Sequence, residues 1–255
     1  MLARMQEQAS GIVEWLRSTL GRRVYALECK HVAEALTQVF GWQLLQIGLW
    51  GDDHGLIAEA RTQQKTVLAT QAPRVSQDRT VGGVPLALSR ADSMAIASDS
   101  IDAVLLPHTL ERVADPHAVL REVERIIMGE GHLIVLGFRP FSMWGTRNLF
   151  AGNGFPPGTE RLLGERRVRD WLKLLGFDIV DAKRYLFTFP FGRAAPGIQR
   201  FLETVGERAW PLFAGAYLLK ARKRVYSATP IRIRLRAKTS VVGGLVEPAA
   251  RRGIE

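Results

Sequence analysis

The chain of 255 residues has a single cysteine, Cys29. An internal disulfide is excluded, and this usage fits a reducing compartment, so a cytoplasmic location is expected. No apolar run approaches the ~20 residues needed to cross a bilayer, so no transmembrane protein is expected. Residues 1–16 carry acids and lack an apolar segment, which speaks against a signal peptide. No internal repeat is visible. Acids are also short: 25 Asp and Glu against 35 Lys and Arg, a net charge of +10. The surplus is local. From Lys220 to Glu255 ten basic residues face two Glu, a net of +8, so the rest of the chain is only about +2. Basicity is thus a property of the tail. Hydrophobic residues make up 47% of the chain, enough for a real core.

The most informative stretch runs from Ser98 to Phe138. Ala103-Val104-Leu105-Leu106 is apolar without helical alternation, which predicts a strand buried on both faces. Asp115-Pro116 predicts a helix start, with Asp capping free N–H groups and Pro tolerated in the first turn. Val119, Leu120, Val123, Ile126 and Ile127 form one apolar stripe, and Gly129 and Gly131 are expected to stop the helix. Leu133 to Leu136 predicts a second buried strand, completing a right-handed strand–crossover–strand unit.

Around it, stripes at Ile12, Val13, Trp15, Leu16 and Leu20, and at Val32, Ala33, Ala35, Leu36, Val39 and Phe40, predict two helices stopped by Gly21 and Gly41. Trp42 to Ile47 reads as a strand, residues 54–61 as a helix and Thr66 to Ala69 as a strand. Gln71 to Pro85 reads as a loop, and Val168 to Leu175 as a helix. Phe177 to Phe187 and residues 213–225 read as the last strands.

Ser100-Ile101-Asp102-Ala103-Val104, His108, Leu110-Glu111-Arg112-Val113, Asp115, Leu120, Glu122, Arg125-Ile126-Ile127 and Gly129-Glu130-Gly131 together set a pattern. It resembles the class I S-adenosylmethionine-dependent methyltransferases, in the branch called methyltransferase type 11. The resemblance implies a Rossmann-like α/β fold. Its sheet is mostly parallel and seven-stranded, with an antiparallel last strand inserted between its two predecessors and helices on both faces. It implies capping helices over 1–41 and a methyltransferase-like domain over 42–227; after Ser227 the composition changes, and 228–255 reads as a basic, flexible tail.

The resemblance also points to site residues, with S-adenosylmethionine as cofactor. The loop after the first strand reads Gln46-Ile47-Gly48-Leu49-Trp50-Gly51, where relatives carry an acid and then alternating glycines. Gly48 keeps its place. Gln46 stands for the acid that reaches the cofactor's amino group, and Trp50 for the second glycine, which lets backbone approach the ligand. Trp50 either faces the sulfonium as a cation–π partner or packs internally. Asp52 and Asp53 disfavour a dinucleotide, whose pyrophosphate needs bare N–H groups and a positive helix end. Thr70-Gln71 occupies the place of the ribose-binding acid. Asp92, with Ser93 beside it, matches the acid facing adenine, with a turn cap as the alternative. His108 follows the fourth strand, either as a general base for an acceptor or as a structural residue.

No metal site is expected. Asp52-Asp53-His54, Cys29 with His31, and Asp115 with His117 each lack further ligands. In the tail, Ile231 to Lys238 alternates apolar and basic, a stripe suited to RNA or an anionic surface if it forms a strand. The expected function is therefore methyl transfer to an acceptor, a small molecule bounded in part by Phe138, Phe141, Trp144, Phe155, Phe189 and Phe191. The alternatives are a retired fold serving as a binding module and an RNA methyltransferase docked by its tail.

Overall fold

The computed structural model describes residues 11–51, 55–70, 80–150, 155–159, 161–187 and 214–225. Asp52, Asp53, His54, Gln71, Phe189, Phe191 and the tail over 228–255 lie outside them.

Eight strands form one sheet: β1 (Gln43–Ile47), β2 (Gln64–Ala69), β3 (Thr80–Val81), β4 (Val84–Leu88), β5 (Ile101–Pro107), β6 (Ile127–Phe138), β7 (Phe177–Tyr185) and β8 (Ala216–Lys223). Their order is β3-β4-β2-β1-β5-β6-β8-β7. The expected seven-stranded ladder runs from β4 to β7, with β8 antiparallel between β6 and β7. The eighth strand is the two-residue β3, paired to β4 across the Gly82-Gly83 turn. A loop was expected over this segment; a glycine pair with positive φ at both positions instead builds a tight hairpin.

Two apolar layers cover the sheet. One packs residues 11–17 (α1) and α2 (Thr19–Leu36) with Trp144 of α4 (Met143–Phe150) against Leu44, Ala103, Leu105, Ile134 and Leu136. The other packs α3 (Pro116–Ile126) and α5 (Glu165–Leu174) against Leu45, Ile47, Val104, Leu106, Leu133 and Val135. Successive strand residues feed opposite layers, which is why these strands are apolar throughout.

Three local expectations change. Gly21 does not stop a helix. The break falls at Ser18, whose hydroxyl accepts from Gly21 N at 3.1 Å to cap α2. A Cβ on Gly21 would collide with Trp15 O, so this glycine allows α1 and α2 to abut. Residues 54–61 form no α-helix among the described residues; Gly55–Ile57 is a single 3-10 turn. Gly129 and Gly131 do not end α3. The chain turns extended at Ile127 (φ −71°, ψ 130°), and both glycines lie in β6 beside an irregular register with β5.

Candidate functional site

The chain leaves β1 toward β2 on one side of the sheet and β5 toward β6 on the other. Neighbouring β1 and β5 therefore form the switch point at whose carboxyl ends ligands of such sheets bind. The loops from these two strands are stitched together. The Thr109 hydroxyl donates to Ile47 O, and Arg112 donates to Leu49 O at 2.8 Å. Gly48 is buried at φ +94°, and a Cβ there would lie 2.8 Å from Thr109 Oγ1. At Gly51 (φ +101°) a Cβ would lie 2.8 Å from the Tyr25 ring. Both glycines are thus required by the protein's own packing.

That turn sends Trp50 inward, where it is 1% exposed. Its indole lies on the His108 ring with centroids 4.2 Å apart, and Nε1 donates to Glu28 Oε2 at 2.5 Å. His108 is also 1% exposed and stacks on Phe138 at 4.1 Å. Its Nε2 lies 2.8 Å from Glu28 Oε1, and its Nδ1 lies 3.0 Å from Glu111 Oε2. Glu28 further accepts from Tyr185 Oη at 3.4 Å, and Glu111 from Phe138 N at 2.6 Å. Burial opposes charge on His108, but Glu28 and Glu111 outweigh it and carry the imidazole up to about 9. Burial also pushes the Glu111 carboxyl up, only partly offset by His108. An imidazole enclosed on both faces, with each nitrogen facing a carboxylate, is not placed as an acceptor-facing base. It joins Glu28 and Glu111 in one buried cluster.

Gln46 is buried beneath the loop. Its Nε2 donates to Gly48 O at 3.1 Å, while Oε1 has no partner among the described residues. The outer positions differ in character. Thr70 and Ser93 are exposed. Asp92 accepts from Arg90 at 2.9 and 2.6 Å, and this pairing holds its carboxyl below the usual range. The adjoining segment is fixed from α3: Glu122 accepts from Met94 N at 2.8 Å, and Arg125 donates to Ile96 O at 2.8 Å. The structure therefore brings Gln46, Gly48, Trp50 and His108 together and leaves Thr70, Asp92 and Ser93 at the outer rim. Of the aromatics expected around an acceptor, Phe138, Trp144 and Phe155 are core residues, whereas Phe141 is 88% exposed.

Sequence reasoning missed Glu28, Thr109 and the part played by Glu111. Glu28 did leave a signal. It lies on the buried face of α2 with Val24, Val32 and Ala35, where an acid needs a partner.

The residues around this loop fit S-adenosylmethionine only in part. Thr70 and Ser93 are exposed, whereas the position of the resembling family's second glycine is taken by the buried Trp50.

Comparison with known proteins agrees with the fold. Residues 57–135 match the methyltransferase domain family, a match that begins after the Gly48–Gly51 loop. The chain is 35% identical over 151 residues to YafS of Escherichia coli (strain K12), covering 58% of each chain. The matched part is thus little more than half of that relative. Among solved structures, an S-adenosylmethionine-dependent methyltransferase of Thermotoga maritima aligns with TM-score 0.64 at 17% identity, covering 88% of this chain and all of that one. A Haloferax volcanii methyltransferase in complex with the activator Trm112 aligns with TM-score 0.60 at 13% identity, covering 87% and 98%. By this strand order and these likenesses the chain has the class I methyltransferase fold, and its residues 57–135 match the methyltransferase domain family.

Proposed function

We propose that the protein is an S-adenosylmethionine-dependent methyltransferase acting on a small-molecule acceptor. The observation that carries this is the match over residues 57–135, seated on a sheet whose β8 runs antiparallel between β6 and β7. When bound, the cofactor supplies an electrophilic methyl group. Thr70 and Ser93 are offered to the ribose and adenine, and Gln46 Oε1 to the amino group. Alignment of acceptor, methyl carbon and sulfur supplies most of what such a transfer needs, so the enclosure of His108 is no obstacle. Titration with S-adenosylhomocysteine tests the reading. Heat on binding and a thermal shift at millimolar ligand are expected; absence of both would sink it.

The burial of Trp50 and the Arg90–Asp92 pair favour a second reading, a methyltransferase fold retired to a binding role. The same titration separates the two.

A further inference from the structure

We infer that Trp50 is an internal occupant of the cofactor crevice, latched by Glu28 of α2, so that ligand enters only when the indole is withdrawn. The inference rests on the cofactor reading above.

Three observations carry it. First, the indole sits at the switch point itself, three residues beyond β1 and in face contact with the residue that follows β5. Ligands of open α/β sheets take that place. Second, the contact is polar and specific. An indole that only filled core space would need one acceptor of any kind. Trp50 instead meets a fully buried carboxylate that also holds His108 and Tyr185. No other donor to Glu28 Oε2 is described, so in this conformation the indole supplies what that oxygen requires. Third, the closed state leaves a polar group unsatisfied beneath the same loop, the buried Oε1 of Gln46. The arrangement satisfies Glu28 and leaves Gln46 Oε1 without a donor among the described residues. A ligand bearing an ammonium group could reverse that balance, because a charged donor makes the stronger bond.

The two glycines fit this account. Their missing Cβ positions face Thr109 and Tyr25, so they shape the turn that aims residue 50 inward. Apparent affinity of such a site is reduced by the fraction of molecules in which the indole is out.

The test uses the full chain with indole nitrogen-15 labelling and S-adenosylhomocysteine as probe. Trp50→Phe identifies the Trp50 signal by its loss. We expect that signal to move on titration, and Trp50→Ala to bind the probe about tenfold or more tightly than the unmodified chain. Binding by Trp50→Ala alone would support the inference equally. Should Trp50→Ala fail to fold, the indole signal of the unmodified chain decides, together with Glu28→Gln, which is expected to bind several-fold more tightly. Binding with an unmoved Trp50 signal, or variants that bind no tighter, overturns the latch and leaves the cofactor reading intact. No binding by any of the chains overturns both.

Discussion

His108 is held as a cation by two carboxylates from different parts of the chain, and its proton is bound more tightly in the folded state. In the unfolded chain the imidazole returns to its ordinary 6.5, against about 9 when folded. The stabilisation is therefore complete below about pH 6.5 and lost as pH climbs through about 9. Glu111, raised by burial, contributes with the same sign. We expect the free energy of chemical unfolding to drop by on the order of 3 kcal/mol between about pH 6 and about pH 10, and most of that drop to vanish in His108→Asn. Stability that rises over this range would contradict the assignment. Gly48 is the other decisive residue. Alanine there meets both a positive φ and Thr109 Oγ1, and Gly48→Ala is expected to cost about 2 kcal/mol by denaturant titration. The sequence shows that Gly48 and Trp50 stand in the cofactor loop. It does not show that Trp50 folds inward, because that depends on Glu28, which only the three-dimensional structure brings to it.

At the level of elements, α3 was the most legible. Its cap, its first-turn proline and its apolar face are all local properties. Asp115 accepts from His117 N at 2.9 Å and Ala118 N at 3.1 Å. Asp115→Ala should lower stability by about 1 kcal/mol, read as a fall in melting temperature, with little effect on ligand binding. The elements misread were those whose ends are set by neighbours. Gly21 resembles a helix stop until α1 is seen against it. The first residues of β6 resemble a helix end because Gly129 and Gly131 are poor local signals for a strand. The β3–β4 hairpin was hidden because Pro85 reads as a loop residue, although it sits in β4, where it faces Thr80.

For the whole molecule, the mostly parallel sheet with its antiparallel last strand followed from the family resemblance, whereas the charge distribution followed from composition alone. Residues 220–255 carry +8 of the net +10, and the tail over 228–255 supplies +4 of it. If it docks nucleic acid, deleting residues 228–255 should abolish retention on RNA at low salt while leaving the melting temperature of the remainder unchanged. Equal retention by both forms would eliminate the RNA alternative.

Glu28 has one further consequence, for the order in which the molecule comes together. Besides Trp50, its partners lie 80 residues on, at His108, and 157 residues on, at Tyr185. A nascent chain exposes α2 long before either exists. A carboxylate sealed away alone is costly, so the helix synthesised early must wait in water. Its seating is expected to be a closing event of assembly, completed once β8 exists for β7 to pair with.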